Sequence, residues 1–268
     1  MTLSPIGAFA RMHDPDRFLC SLFAPPERRE ALFALVALNH ELARAREAAS
    51  NPVAALIRLQ WWREAIEDAA AGRPPRRHEV AAPLHAAIAD GALDVAALLA
   101  MVEAREIEAE EEGIATEQDF VAWLRGTAGG WSAAAGLALG ATVERAEVLR
   151  ALGAAYGLAG ALRSVAAHAG QGRCLLPRDR LAAAGLQAEA LVAAPDSAGA
   201  LVAALAGEGL EALRGARRDV PRAVIAAALP AVLARRDLAR LAQGRPVAVP
   251  RGAAARLAVM IAGWRGRV

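Results

Sequence analysis

The residues best suited to chemistry in this chain interrupt helices that are otherwise apolar. The run 31–38 is apolar on every side, and Asn39, His40, Glu41 and Arg44 come after it. His40 and Arg44 are four residues apart and therefore share one helical face. Because unpaired polar groups are costly inside a protein, these side chains either line a cavity or pair with neighbours, unless the helix reaches the surface here.

A second polar group follows a glycine-rich helix. Arg163, Ser164 and His168 come after three glycines within 153–160, and Arg173 follows in the next loop. Each glycine costs a helix about 1 kcal/mol relative to alanine, a cost typical of close approach by another helix or by a bulky ligand. Ser164 and His168 share a face, so the two polar groups could face each other across a void.

Adjacent tryptophans mark a third segment, RLQWWR at 58–63. The chain is only 4% aromatic, and Trp61 and Trp62 point to different sides of a helix. One is expected to anchor a helix contact and the other a groove or a partner. Arg58 and Trp62 are four residues apart and could form a cation–π pair. The alternative is that both tryptophans are packing anchors, with Arg58 and Arg63 on the surface.

The elements that must position these residues are helices. Alanine, leucine, arginine and glutamate are strong helix formers, whereas β-branched and aromatic residues are too sparse for a sheet. Thr116 and Asp119 form a capping-box pattern that predicts a helix over 116–139, and a further helix is expected over 142–169. No repeat or long linker divides the chain. We therefore predict one all-α domain, residues 1–268, of about ten helices.

Composition and charge exclude several classes of protein. The 268 residues include 31 arginines, no lysine and 29 acidic residues, a formal net charge of +2. A hydrophobic content of 56% excludes a disordered chain, and two cysteines are too few for a disulfide framework. A charge this close to zero argues against nucleic acid as the partner.

The lengths of the apolar segments predict the cellular localisation of the protein. The longest apolar runs fall short of the roughly 20 residues that span a bilayer, and no export signal opens the chain. We expect a cytoplasmic protein, either soluble or attached peripherally to the inner membrane.

The order of these segments resembles the squalene/phytoene synthase family of all-helical isoprenoid synthases. The motifs that carry the resemblance are ALFAL at 31–35, RLQWWREAIEDA at 58–69, and YGLAGALR followed by GRCLLP within 156–177. The resemblance extends over about 16–184 and is looser over 185–268. It implies a single helical bundle around a central cavity. It also implies head-to-head condensation of two prenyl diphosphates, held by Mg²⁺ on two Asp-x-x-x-Asp motifs of facing helices.

This chain departs from both aspartate motifs. The first motif falls on His40 and Arg44, and the second on Ser164 and His168, so all four aspartates are absent. We therefore predict the family fold without prenyl transfer, and no bound metal or cofactor. The candidates for the degenerate site or its cavity are His40, Glu41, Arg44, Arg58, Arg63, Arg163, Ser164, His168 and Arg173.

The polar groups that remain leave alternatives open. Glu41 lies beside the first motif position and Arg163 precedes the second. An active prenyl-diphosphate condensing enzyme would use these groups with His40 and His168, and with Mg²⁺ as cofactor. A carrier of a lipid or isoprenoid ligand would keep the cavity without the chemistry. A lining of His40, Arg44, Arg163 and His168 would be neutral to positive and could meet an anion without a metal.

The RLQWWR stretch and the absent aspartates resemble one branch of the family, the mitochondrial complex I assembly factors and their alphaproteobacterial relatives. This resemblance implies a noncatalytic role in assembling respiratory complex I at the inner membrane. The implied partners are complex I subunits or assembly intermediates.

The C-terminal segment 251–268 combines an apolar core with basic flanks. The core runs over 257–264, and the flanking arginines are Arg251, Arg256, Arg265 and Arg267. Such a segment can lie on an anionic membrane surface with its tryptophan at the level of the headgroups. It can equally be the last packing helix with a solvated basic end.

Overall fold

The computed structural model describes residues 3–49, 51–216, 220–248 and 251–268. Helices and the segments that connect them make up this part of the chain, and it contains no β-strand. The predicted all-α architecture is therefore confirmed. The predicted domain span also includes residues 1, 2, 50, 217–219, 249 and 250, which lie outside the described residues.

The described residues form α-helices joined by short connections, four of which contain a 3₁₀ turn. The α-helices are α1 Pro5–His13, α2 Pro15–Ser21, α3 Arg29–Glu47, α4 Pro52–Ala70, α5 Ala81–Ala89, α6 Val95–Glu103, α7 Glu117–Gly126, α8 Ala128–Ala138, α9 Val143–Arg163, α10 Val165–Ala169, α11 Arg178–Ala183, α12 Ala188–Ala193, α13 Gly199–Ala216, α14 Ile225–Ala228, α15 Pro230–Leu241 and α16 Ala253–Arg265. The 3₁₀ turns are Pro26–Arg28, Glu106–Ala109, Pro195–Ala198 and Arg222–Val224.

Polar side chains fix the first turn of several helices. The Thr116 hydroxyl accepts a hydrogen bond from the Asp119 N–H at 3.1 Å and donates one to the Asp119 carboxylate at 2.7 Å. The predicted cap at this position is confirmed. Such caps satisfy N–H groups that have no partner within the helix. The same role is taken by Ser4, Asn51, Asp94 and Thr142 at the starts of α1, α4, α6 and α9.

Two helices predicted as continuous are each divided. The helix predicted over 116–139 breaks at Thr127, whose backbone leaves the helical region with φ −87° and ψ −86°. The Thr127 hydroxyl donates to the Trp123 carbonyl at 2.7 Å, which satisfies that carbonyl at the break. The helix predicted over 142–169 is divided at Ser164. Thr127 and Ser164 both line the cavity of the candidate site, so both helix breaks lie in its wall.

Helix α9 is the central element, and its glycines decide how closely it packs. It lies against α7, α8, α13 and α15. A Cβ on Gly153 would lie 2.6 Å from the Ala128 carbonyl oxygen, and one on Gly157 would lie 2.8 Å from the Ala128 Cβ. The predicted close approach of another helix is therefore confirmed at these two positions. A Cβ on Gly160 would meet no atom within 4 Å, because Gly160 borders the cavity.

Helix α3 forms the opposite side of the cavity. Its first half is buried on every side, as the apolar run 31–38 predicts. It packs against α1, α4, α5 and α8. Its second half carries the polar residues, and it presents them to two different spaces, the cavity on one side and a groove beside α4 on the other.

Candidate functional site

A cavity of about 490 Å³ lies between the N-terminal helices, α3 and α9. Its volume falls within the roughly 300–1,000 Å³ of small-molecule sites. The lining contains six arginines and four carboxylates, so its formal charge is positive. The charged lining residues are Asp14, Asp16, Arg17, Glu47, Arg105, Glu108, Arg163, Arg173, Arg251 and Arg256.

Arg251 is the most heavily paired of these groups. Its guanidinium donates to Asp237 at 3.0 Å from Nε and 2.5 Å from Nη2, and a third bond reaches Asp16. Only 3% of the Arg251 side chain is exposed. Burial alone would lower the pKa of Arg251, but Tyr156, Asp16 and Asp237 raise it above its ordinary value. The cluster therefore joins the segment before α16 to α2, α9 and α15 through a permanently charged group.

Arg17 fills the adjacent part of the cavity wall. It is almost completely buried and pairs with Asp14 at 2.8 Å. Asp14 also accepts the Arg17 backbone N–H at 2.9 Å, which caps α2. The Arg17 guanidinium lies 5.1 Å from the Trp131 ring centroid and 4.8 Å from that of Tyr156, distances that suit cation–π contacts. Burial raises the pKa of Tyr156, so its hydroxyl stays protonated at neutral pH.

Glu108 is a buried carboxylate on the far side of the cavity. It accepts a hydrogen bond from the Trp123 indole nitrogen at 2.7 Å and pairs with Arg105 at 2.6 Å. The Arg173 guanidinium donates to the Glu108 carbonyl at 3.3 Å. Since a buried carboxylate is tolerated only when it is paired and hydrogen-bonded, the Trp123 and Arg105 donors explain how Glu108 is accommodated in the wall.

Two histidines of the cavity, His40 and His168, have little tendency to protonate. The His40 ring lies 4.4 Å from that of His13, centroid to centroid. Burial, with His13 and Arg44, lowers the pKa of His40 to about 4. Burial and Arg173 lower the pKa of His168 as well. Both rings are therefore neutral at pH 7, and each has one nitrogen that can donate a hydrogen bond.

Three nitrogens in the cavity wall have no hydrogen-bond partner within the described part of the chain. They are Arg17 Nε, His40 Nε2 and Arg163 Nε. The Arg163 guanidinium makes a longer contact, 3.7 Å from its Nη1 to the Asp237 carboxylate. Because buried polar groups are normally satisfied, these nitrogens are the natural contact points for a polar ligand or for water.

The structure divides the predicted site residues between separate places. The five that line the cavity are His40, Arg163, Ser164, His168 and Arg173. Glu41, Arg44 and Arg58 line instead a groove of about 470 Å³ between α3 and α4. Arg63 lines neither space and pairs with Glu106 at 2.9 Å. Arg44 therefore does not contribute to the lining that the sequence predicts for the cavity.

Sequence patterns had not indicated several cavity residues. The HDPDR stretch at 13–17 places Asp14, Asp16 and Arg17 in the wall, and its signal is a proline between two acidic residues at a helix start. Glu108 gave no usable signal among the glutamates around it. Arg251, predicted to flank a basic membrane segment, is buried and faces the cavity.

The C-terminal helix α16 has one exposed apolar face. Leu257, Met260, Ile261 and Trp264 are 42–75% exposed, and their spacing puts them on one side of the helix. On its other side, Gly263 approaches the Phe23 ring so closely that a Cβ would lie 2.5 Å from it. Among the helices of the described residues, none combines the length and the apolarity needed to cross a membrane.

Comparison with protein families gives a match along most of the chain. A family model described as squalene/phytoene synthase matches residues 10–259. Two curated relatives are the proteins named NADH dehydrogenase (ubiquinone) complex I, assembly factor 6, of Mus musculus and of Homo sapiens. Each is 28% identical over 170 residues, 63% of this chain and 51% of the relative. The chain thus spans about half the length of the curated relatives it matches.

Solved structures show the same fold. Squalene synthase HpnC from Alicyclobacillus acidocaldarius superposes with a TM-score of 0.75 at 21% identity, covering 90% of this chain and 94% of that one. A dehydrosqualene synthase in complex with ligand superposes with a TM-score of 0.66 at 16% identity, covering 96% and 94%. At these identities the likeness establishes the helical architecture alone.

Proposed function

The chain belongs to the squalene/phytoene synthase family. Within this family, we propose that it acts as a noncatalytic assembly factor for respiratory complex I. The observation that carries this proposal is the 170-residue match to proteins named as complex I assembly factor 6. The partners proposed on this basis are complex I subunits or assembly intermediates.

The electrostatics of the cavity support a role without prenyl transfer. Ionisation of a prenyl diphosphate needs Mg²⁺ to neutralise the departing group, and Mg²⁺ binds to clustered carboxylate oxygens. At positions 40, 44, 164 and 168 this chain has imidazole, guanidinium and hydroxyl groups. The carboxylates of Asp16 and Glu108 are engaged by Arg251 and Arg105. Within the described residues, no three acidic, histidine or cysteine side chains converge as a metal site would require. Glu47 is the one cavity carboxylate without an ion pair among the described residues, so this donor chemistry supports a role without Mg²⁺.

Deletion of the gene in its own host tests the proposal. We expect membranes of the deletion strain to lose NADH:ubiquinone oxidoreductase activity while succinate oxidation is retained, since only complex I would be affected. Expression of the chain from a plasmid should restore the lost activity. Intact NADH:ubiquinone oxidoreductase activity in the deletion strain would contradict the proposed role.

The cavity favours a second function, binding of a lipid or isoprenoid ligand with an anionic head. The observation that favours it is a space of about 490 Å³ with unpaired nitrogens on Arg17, His40 and Arg163. A guanidinium and a neutral imidazole can both donate hydrogen bonds to an anion without an intervening metal. The ligand would therefore be held directly by the protein.

Calorimetry with a C15 prenyl diphosphate separates this function from catalysis. We expect the same dissociation constant with Mg²⁺ and with a chelator, and no condensation product in either condition. Affinity that depends on Mg²⁺, or formation of a C30 product, would instead support the alternative of an active prenyl-diphosphate condensing enzyme. Lipid that copurifies with the protein, detected by mass spectrometry, would support the binding function independently.

We also propose that α16 attaches the protein peripherally to an anionic membrane. Its exposed apolar face carries Trp264, and Arg256, Arg265 and Arg267 are exposed on the same helix or just after it. This combination is typical of helices that lie in the membrane interface. We expect cosedimentation with phosphatidylglycerol vesicles, little with phosphatidylcholine vesicles, and loss of binding in Trp264→Glu. Equal sedimentation of that variant would contradict this role of α16.

A further inference from the structure

The groove between α3 and α4, referred to below as the α3–α4 groove, is separate from the cavity. It encloses about 470 Å³. Its lining residues are Glu41, Arg44, Ala45, Ala48, Ile57, Arg58, Trp61, Trp62 and His78. None of these nine residues is among those that line the cavity.

The floor of the α3–α4 groove is a fixed aromatic cluster. Trp61 and Trp62 meet edge to face with their ring centroids 4.9 Å apart, and the His78 ring lies within 5.4 Å of both. Arg76 lies over Trp61 at 5.2 Å and is held by Glu64 at 3.0 Å. The sequence predicted Arg58 against Trp62, but Arg76 is the arginine that stacks on this cluster. Side chains fixed in this way lose little freedom when a ligand binds.

The rim of the groove carries arginines that are left unpaired. Arg44 and Arg58 are exposed, and within the described residues neither has a carboxylate oxygen within 4 Å. Nearby arginines differ: Arg63 and Arg76 are paired with Glu106 and Glu64. The positive charge at the rim is therefore available to a partner.

An apolar stripe continues the floor along α4. Ile57 is 64% exposed and Val53 is 65% exposed, and with Trp61 they follow one another at intervals of four residues. Residues at this spacing share a helical face. The stripe is about 12 Å long, which corresponds to about two turns of a helix lying against it. Exposed apolar patches of this kind on a soluble protein mark interaction sites.

We propose that the α3–α4 groove docks an amphipathic helix of a partner protein, with apolar side chains on the Trp61–Trp62 floor and acidic side chains toward Arg44 and Arg58. Charge complementarity selects this occupant, because two arginines, Arg44 and Arg58, outweigh the one carboxylate, Glu41, in the groove lining. Tryptophan and arginine are also the residues that most often dominate the energy of protein interfaces. The inference goes beyond the proposed function, since it specifies the chemistry of the docked segment and not the complex that contains it.

The chemistry of the groove argues against two other occupants. A second copy of this chain could offer the apolar face of α16, but that face is accompanied by Arg256 and Arg265, which would repel Arg44 and Arg58. An anionic bilayer is flat, whereas the groove is concave and includes the carboxylate of Glu41.

Binding of two designed peptides to the full chain tests the proposal. Both are fluorescein-labelled helices of about 16 residues, about 24 Å long, with leucines at i, i+3, i+4 and i+7. One has glutamates on its other positions and the second has lysines. Fluorescence anisotropy should show binding of the glutamate peptide and at least about tenfold weaker binding of the lysine peptide. The proposal is overturned if the glutamate peptide does not bind.

Charge-reversal variants test whether the glutamate peptide binds in the α3–α4 groove. The double variant Arg44→Glu with Arg58→Glu should weaken binding of the glutamate peptide at least about tenfold and strengthen binding of the lysine peptide. The matched control is Arg11→Glu with Arg28→Glu, which changes the net charge equally at exposed positions outside the groove. An equal loss in the control would show that only net charge attracts the peptide, and it would overturn the proposal.

Two further measurements exclude the other occupants. Sedimentation with phosphatidylglycerol vesicles should be the same for the native chain and the Arg44→Glu, Arg58→Glu variant. Analytical ultracentrifugation should give the two proteins the same mass. Loss of vesicle binding in the variant would assign the groove to lipid, and a dimer that dissociates in the variant would assign it to a second copy. Either result overturns the proposal.

Discussion

In the cavity, Arg251 is almost completely buried and meets carboxylates from two helices, whereas Arg44 and Arg58 at the α3–α4 groove are exposed and have no carboxylate oxygen within 4 Å among the described residues. The aromatic neighbours differ too. Tyr156 and Trp131 are buried against arginines inside the cavity wall, while Trp61 lines an open groove. Arginine and aromatic side chains are thus buried in one region, with Arg251 paired to carboxylates, and in the other they line an open groove whose two arginines are exposed and, among the described residues, unpaired.

This difference distinguishes charged groups that stabilise the fold from charged groups that remain able to bind a partner. A buried ion pair is costly to break, because removal of one charge leaves the other uncompensated. An exposed unpaired arginine contributes little to stability and keeps its capacity to bind. Substitutions in the cavity cluster should therefore change the free energy of unfolding, and substitutions at the groove should change binding alone.

Arg251→Ala should give the largest effect on stability. Among the described residues it leaves the buried carboxylate of Asp237 with only the 3.7 Å contact to Arg163, and it removes the guanidinium from Asp16. We expect a loss of about 3–5 kcal/mol in the free energy of unfolding, measured by urea denaturation. Arg256→Ala is the matched control, since Arg256 is exposed three residues into α16 and should change stability by less than about 0.5 kcal/mol. Equal stability of the two variants would contradict the structural role of the cluster.

The lowered pKa of His40 should make the free energy of unfolding depend on pH, with a smaller effect than that of Arg251→Ala. Its pKa is about 4 in the folded protein, with His13, Arg44 and Asp14 as the charged or titratable neighbours, and about 6.5 in the unfolded chain. Between these values the unfolded state binds a proton that the folded state does not, so stability is full above pH 6.5 and falls as the pH decreases toward 4. The ring is only partly buried, so solvent screening reduces the expected loss to about 1 kcal/mol.

The variant His40→Asn isolates this contribution. Chemical denaturation at pH 6.5 and at pH 4.5 should show a smaller decrease in stability for the variant than for the native chain. His168, whose pKa is also lowered, contributes with the same sign, so His40→Asn with His168→Asn should show the smallest decrease. A native chain with equal stability at both pH values would contradict the neutral, shielded state of His40.

Local signals allowed the helices to be predicted, but they did not show which side chains share a space. The cap at Thr116 and the glycines Gly153 and Gly157 act over a few residues, and their consequences were correctly predicted. The same type of signal, a capping residue followed by proline, begins α1 and α2, but those short helices had not been predicted from it.

The cavity depends on contacts between distant parts of the chain. Arg251 reaches Asp16 across 235 positions of sequence, and no pattern within a helix encodes such a pair. Helical periodicity also could not decide that His40 faces the cavity while Glu41 and Arg44 face α4. That choice depends on how α3 is rotated against α4 and α9, which is fixed by packing of the whole bundle.

Two isoleucines on α4 give the most direct test of the comparison, and Ile57→Ala gives the smallest expected change in stability. Ile57 is 64% exposed in the α3–α4 groove, and Ile66 is completely buried on the same helix. Ile66→Ala should cost about 2–5 kcal/mol because it removes buried methyl groups and leaves a cavity. Ile57→Ala should change stability by less than about 0.5 kcal/mol, yet weaken binding of the glutamate peptide about tenfold or more. A large loss of stability in Ile57→Ala would mean that the groove is part of the packed core, and an unchanged peptide affinity would mean that its apolar stripe does not contact the partner.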